Sequence, residues 1–176
     1  MRYFYKLATS VQVLPMMAAI ARQPDLWNKD DCRKTFEDSP HTQVDDIQLR
    51  FGSKDGDDLE AVNLPAMQQL PGVMDSVLNV MRLVQGVRLG RVLITKLAPG
   101  KKIAPHSDVM GAYSKYYTRY HLALQGLPGS LFNCGDETVQ MMTGELWWFD
   151  AAAEHSVINN SQDDRVHMLI DIRIDL

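Results

Sequence analysis

Cysteine is scarce in this 176-residue chain: only Cys32 and Cys134, too far apart for a paired zinc or redox motif. Both read as free thiols, with a single bridge between them as the alternative. No apolar run approaches the ~20 residues that a membrane-spanning helix needs. Internal repeats, low-complexity tracts and long linkers are also missing. Nor is there a basic excess: 18 Lys and Arg against 22 Asp and Glu leave a formal charge of −4. A nucleic-acid partner, which usually wants a basic face, is therefore not expected.

The N-terminus, MRYFYKLATSVQVLPMMAAIA, loosely imitates a secretory leader, with Arg2 and Lys6 ahead of an apolar stretch that ends in small residues. Ser10, Gln12 and Pro15 interrupt that stretch, and RYFYKLA alternates as a strand does. The expectation is a cytoplasmic protein with no membrane partner.

What is present is a globular composition, 45% hydrophobic and 23% charged, in a length that suits one domain, 1–176. Residues 2–8 and 44–51 alternate as strands, Pro15 to Ile20 suits a short helix, and Pro24 to Asn28 suits a local turn. GSKDGDD, from Gly52, reads as a polar loop. Val77, Val80, Met81 and Val84 recur at helical spacing over 73–84, with Gly86 as the stop, and that helix is expected to pack on a sheet. From Val87 the texture changes. VRLGRVLITKL, RYHLALQGL, SLFNCG, ETVQMM, ELWWFD, HSVINN and RVHMLIDIRI follow closely, each bounded by Gly, Pro, Asn or Asp. Such density predicts an antiparallel β sandwich or barrel over 87–176, with 1–86 as flanking strands and helices.

Four of the five histidines, His106, His121, His155 and His167, fall in the last 71 residues, and only His41 lies outside them. His106 and Asp108 stand one residue apart in PHSD, so in extended chain their side chains share a face. His155 opens a strand about fifty residues on. Two imidazoles and one carboxylate can take one face of an octahedral metal, the facial triad of non-haem Fe(II) oxygenases. The same donors also suit Mn, Co or Ni, and zinc stays open. Arg165 opens the strand RVHMLIDI and shares a face with His167 and Leu169, opposite Val166, Met168 and Ile170. An inward arginine is costly unless it meets an anion, and its planar fork matches a carboxylate. A surface position, or a pair with Asp163 or Asp164, is the plainer alternative. Arg119 and His121 form another pair on one face of a strand.

From Leu97 to Asp175 these motifs, PHSD, RYHLAL, GELWWFD, EHSVINNS and DRVHMLIDI, resemble in order and spacing the aspartyl/asparaginyl β-hydroxylase family of Fe(II)- and 2-oxoglutarate-dependent dioxygenases. The resemblance implies a mainly β fold, a double-stranded β-helix (a cupin-like jelly roll) with flanking N-terminal helices. It implies Fe(II) on His106, Asp108 and His155, with 2-oxoglutarate and O2 as cosubstrates. Arg165 falls on the position that binds the distal carboxylate of 2-oxoglutarate, assisted by the Thr95 hydroxyl, and His121 on one that holds the cosubstrate near the metal. Arg119 is similar to a position that reads an acidic substrate group.

The implied substrate is an Asp/Asn-type side chain in a protein or peptide, or a related carboxylate. A free amino acid or other small molecule is the alternative within the superfamily. A cupin-type metal protein with other chemistry, and a non-catalytic barrel, are the competing classes. Gly144 suits the turn into ELWWFD, Trp147 to Phe149 the core and rim, and Asn159 and Asn160 a turn. Asp171 reads as a strand-end polar residue. Tyr113, Tyr116 and Tyr117 read either as a wall of the substrate entrance or as surface packing.

Overall fold

The computed structural model describes residues 1–35, 37–52, 61–109 and 111–174, so most of the polar stretch GSKDGDD lies outside the described residues. The N-terminal half supplies β1 (Phe4–Ala8), α1 (Leu14–Ala21), a single 3-10 turn (Pro24–Leu26) and α2 (Cys32–Thr35). It continues with β2 (Asp45–Phe51), β3 (Val62–Asn63), α3 (Pro65–Gln69) and α4 (Val73–Leu83). The second half runs β4 (Arg88–Leu97), β5 (Lys102–His106), α5 (Gly111–Tyr116), β6 (Thr118–Gln125) and β7 (Ser130–Cys134). It closes with β8 (Glu137–Val139), β9 (Leu146–Phe149), β10 (His155–Asn159) and β11 (Arg165–Arg173).

Two antiparallel sheets result, one in the order β1-β9-β6-β11-β4-β2-β3 and one in the order β5-β10-β7-β8. From β4 onward the chain crosses between them, large, small, large, then small twice, then large, small, large. That winding is the double-stranded β-helix expected from the motifs. β1 pairs with β9 and β2 with β4, so the N-terminal strands lengthen the large sheet at both ends.

The pleat of β11 separates packing from chemistry. Val166, Met168, Ile170 and Ile172 face the helices, joining Met16 and Ile20 of α1 and Val73, Val77 and Val80 of α4 in one buried core. Each such side chain contributes roughly 1.5–3 kcal/mol when fully buried. Phe4, Leu97, Ala123, Phe132, Trp147, Phe149 and Val157 fill the space between the sheets. The layers are therefore helices, large sheet, small sheet. The segment that imitates a leader is β1 and α1, with Phe4, Met16, Ala19 and Ile20 buried. No helix among the described residues is long and apolar enough to cross a membrane.

Helix α4 stops differently from the sequence reading. The left-handed residue is Gln85 (φ 55), and the Gly86 amide donates to the Met81 carbonyl at 2.8 Å. That is a Schellman close with glycine one position later than usual. Gly86 is needed for space, because a Cβ there would come within 2.3 Å of Ile172 Cγ2. Gly144, with φ 80, makes the turn into β9 as expected. β5, which is not among the strands expected from the sequence, carries Pro105. It is an edge strand of the small sheet, where a missing N–H is tolerated.

Asn159 ends β10 and is fully buried. Its side-chain amide donates to the carbonyls of Leu97 (2.8 Å) and Asp163 (2.9 Å), and its Oδ1 accepts from the Ser161 amide and hydroxyl. It therefore ties the turn between β10 and β11 to the end of β4. Asn159→Ala is expected to cost about 3 kcal/mol of unfolding free energy, since it strands several buried polar groups. Chemical denaturation checks this; a loss under about 1 kcal/mol would contradict it.

Candidate active site

The antiparallel register of β5 and β10 sets His106 directly opposite His155. Their rings lie 4.3 Å apart between centroids. Each ring is fixed from behind: His106 Nδ1 bonds the Ala104 carbonyl at 2.8 Å, and His155 Nδ1 bonds the Ala153 carbonyl at 2.9 Å. The carbonyls demand protons on Nδ1, which leaves both Nε2 lone pairs for a cation. Burial lowers the His155 pKa, so the neutral, ligating form is favoured. Asp108 completes the group, and the donor atoms of the three residues lie within 4.8 Å of one another. Asp108 Oδ1 is 3.6 Å from His106 Nε2. These donors fit a divalent metal of the facial-triad type.

Asp108 stands two residues past β5, with its amide donating to the Ala151 carbonyl at 2.8 Å. Its carboxylate is held by Arg119, whose Nη1 donates to Oδ2. Arg119 in turn grips Asp171 bidentately, Nε to Oδ1 at 2.8 Å and Nη2 to Oδ2 at 3.0 Å. The Tyr113 hydroxyl donates to Asp171 Oδ2 at 3.0 Å and accepts from the Arg91 amide at 2.8 Å. Burial alone would raise the Asp108 pKa, but Arg119 and the two histidines outweigh it and hold the carboxyl below its ordinary value. Asp171, a polar residue near the end of β11, is 2% exposed and anchors the arginine that holds Asp108.

Deeper in the cavity, Arg165 is 3% exposed, with its guanidinium 5.7 Å from the Phe132 ring centroid. Its Nη2 donates to His167 Nδ1 at 3.0 Å. Neither Asp163 nor Asp164 pairs with it, and no carboxylate among the described residues lies within ion-pair distance. Burial pushes its pKa down to about 9. The neighbouring His121 and His167 are both neutral, because burial, reinforced by Arg165, drives their pKa values well below the ordinary one. Their Nδ1 atoms are 3.4 Å apart, and both Nε2 atoms are buried without a hydrogen-bond partner among the described residues. The buried Thr95 hydroxyl reaches the His167 carbonyl only at 3.5 Å.

One cavity is lined by all seven residues singled out in the sequence, Thr95, His106, Asp108, Arg119, His121, His155 and Arg165. It is also lined by Arg33, His41, Phe132 and Phe149, which the sequence reading did not select. No periodicity marks Arg33 and His41: Arg33 sits on the single-turn helix α2, and His41 in the irregular stretch between α2 and β2. Beside it, sharing Asp108, Arg119 and Phe149, lies an open cleft of about 600 Å³ walled by Tyr113, Tyr117 and Trp148. Tyr113 and Tyr117 stack at 4.5 Å there, while Tyr116 is exposed.

Comparison with known proteins places the chain in a family. The family model for aspartyl/asparaginyl beta-hydroxylase matches residues 55–174. L-proline cis-4-hydroxylase of Rhizobium meliloti (strain 1021) is 28% identical over 130 residues, 71% of this chain and 45% of that protein. L-proline cis-3-hydroxylase 1 of a Streptomyces species is 32% identical over 75 residues, 42% of this chain and 26% of that protein. The chain thus spans less than half the length of these curated relatives. The crystal structure of a non-heme alpha-ketoglutarate-dependent carbocyclase from nogalamycin biosynthesis superposes with a TM-score of 0.64 at 12% identity, covering 98% of this chain and 79% of the other. That likeness concerns the fold.

Arg119→Met would leave the Asp108 and Asp171 carboxylates in a cavity without their cation. The expected cost is at least about 3 kcal/mol in unfolding free energy. Divalent-metal affinity, followed by titration calorimetry, is expected to fall about 10- to 100-fold. Unchanged metal affinity would show that Asp108 needs no such support.

Proposed function

This chain belongs to the aspartyl/asparaginyl β-hydroxylase family, and from that premise we propose that it is an Fe(II)- and 2-oxoglutarate-dependent dioxygenase, a hydroxylase. The observation that carries the reading is Arg165, a buried cation that faces the triad's cavity with no carboxylate partner among the described residues. Burying a guanidinium in this way is costly, and a diacid relieves the cost. A metal-binding cupin with other chemistry has no use for that feature.

His106 and His155, through Nε2, and Asp108, through Oδ1, would hold the iron. When bound, iron with 2-oxoglutarate and O2 supplies the oxidation that places one oxygen atom in a substrate C–H bond, the cosubstrate leaving as succinate and CO2. The chain's own part is positional. Arg165, with the Thr95 hydroxyl, takes the distal carboxylate of 2-oxoglutarate. His121 offers its unpartnered Nε2 beside the cosubstrate. Arg119 keeps Asp108 ionised and aimed, and it borders the outer cleft, where its remaining N–H groups serve the substrate. Phe132 and Phe149 exclude water from the inner cavity.

The substrate proposed is an Asp/Asn-type side chain or a related carboxylate. A free amino acid is the second reading, favoured by the proline hydroxylases among the relatives. We further propose that residues 1–86 and 87–176 work as a single domain, since both contribute to the large sheet. A cytoplasmic setting accords with Cys32 and Cys134 being free thiols.

With Fe(II) and 2-oxoglutarate the protein is expected to form succinate, measured by coupled assay or mass spectrometry. His106→Ala should abolish it. Arg165→Met should raise the 2-oxoglutarate concentration for half-maximal rate about 100-fold, the loss of a charged two-point grip. Full turnover by the His106→Ala/His155→Ala double variant would remove the proposed metal site.

A further inference from the structure

We propose that Arg33 recognises the substrate by gripping a carboxylate, and that the substrate is a small molecule of no net charge, the zwitterion of a free amino acid. This rests on the dioxygenase reading above and takes the second of its two substrate readings, the free amino acid. Four charged side chains line the inner cavity: Arg33, Asp108, Arg119 and Arg165. Arg119 has three N–H groups committed to Asp108 and Asp171. Arg165 is the group for 2-oxoglutarate. Arg33 has only Nη1 committed, to Asp46 Oδ2 at 3.0 Å, and its other guanidinium N–H groups have no hydrogen-bond partner among the described residues. Its side chain is 13% exposed, and Asp46 behind it only 3%. A half-used, held and largely buried guanidinium beside a metal site is a carboxylate receptor.

The local fold points Arg33 at the metal centre. Its carbonyl accepts the Ser39 hydroxyl, and Ser39 Oγ accepts the His41 amide at 3.1 Å, so the two cavity-lining residues are tied together. The His41 ring packs edge-on to His106 at 5.1 Å between centroids, and its Nδ1 is buried without a partner among the described residues. The segment carrying both is pinned to the core strands by Lys34 on Asp45 at 2.8 Å, by the Ala104 amide on the Pro40 carbonyl at 3.4 Å, and by the Lys102 amide on the Gln43 side chain at 3.1 Å.

Charge selects the class of substrate. Arg33, Arg119 and Arg165 are matched by Asp46, Asp108 and Asp171, and a divalent cation is matched by the 2-oxoglutarate dianion. A substrate with net charge would leave that balance uncompensated beside largely buried side chains; a zwitterion does not. The rival account makes Arg33 a brace that holds α2 to β2 through Asp46 and touches no ligand.

Titration calorimetry on the protein loaded with Mn(II) and 2-oxoglutarate distinguishes the two. The twenty free L-amino acids are titrated, and the tightest binder is compared with its carboxamide. The wild type is expected to bind the acid about 50-fold better than the amide, as for one charge-assisted two-point contact. Arg33→Gln should lose that preference while keeping its 2-oxoglutarate affinity within about twofold, and Arg33→Lys, which keeps the charge but loses the fork, should fall between.

The proposal is overturned if no free amino acid binds, if the wild type ignores the acid-to-amide change, or if Arg33→Gln keeps the preference. It is also overturned if 2-oxoglutarate and amino-acid affinity fall together in both variants, as a brace would cause. A wild type that fails to bind 2-oxoglutarate with Mn(II) would instead remove the dioxygenase reading beneath it.

Discussion

Asp108 belongs to no strand, yet its carboxylate has to be charged, buried and aimed at two imidazoles across the cavity. Arg119 makes that possible. It reaches from β6, takes Oδ2 of Asp108, and is itself locked by both oxygens of Asp171 on β11. Burial works against Arg119's charge, and the two carboxylates more than restore it. Three charges in a row, alternating in sign, are stable inside a protein where any one alone is not. The candidate metal ligand outside the sheets is thereby fixed by the sheet that carries the core.

The rest of the site follows from the pleat. β11 is buried on both faces, but its faces differ in kind. Val166, Met168, Ile170 and Ile172 hold the helices, while Arg165 lines the inner cavity, His167 bonds to it and Asp171 lines the outer cleft. β6 repeats the division, with Tyr120, Leu122 and Leu124 against the helices and Arg119 and His121 inward. A one-residue slip of either strand would turn every charge into the apolar core. The packing of the helices therefore holds the register of the candidate site, although neither α1 nor α4 lines the cavity.

This division explains what could be read in the chain beforehand. Period-2 alternation made β11 and β6 legible, and with them the inward faces of Arg165, His121 and Arg119. HxD with a later His was legible because ligand geometry constrains spacing. Arg33, His41 and Asp46 were not, because they lie in or next to an irregular segment and matter only through contacts that chain folding creates. Asp171 reads in the chain only as a strand-end polar residue for the same reason: its partner Arg119 is 52 positions away. β5 was hidden by Pro105, an edge-strand residue whose tolerance depends on which neighbour it lacks. Gly86 was recognised as a stop, but its reason is Ile172, which no local pattern contains.

Buried polar groups in this fold fall into two kinds, and the contrast argues for where function lies. Asn159 spends both ends of its amide on its own chain, and Glu145 takes bonds from Lys6 and Trp147. Such groups close turns and sheets, and nothing more is asked of them. At the cavity the rule is broken. Arg165 has no anion, and His41, His121 and His167 each keep a buried ring nitrogen without a partner among the described residues. Each unsatisfied group costs about 1–3 kcal/mol, and here they converge on the space beside one candidate metal site. The rule is not absolute elsewhere, since Arg50 Nε is also buried without a partner among the described residues, but three such atoms gather beside the candidate triad, where a metal and anionic ligands would complete them. That is preorganisation: the cost is met in folding, so that charge brought into the cavity finds its partners already in place.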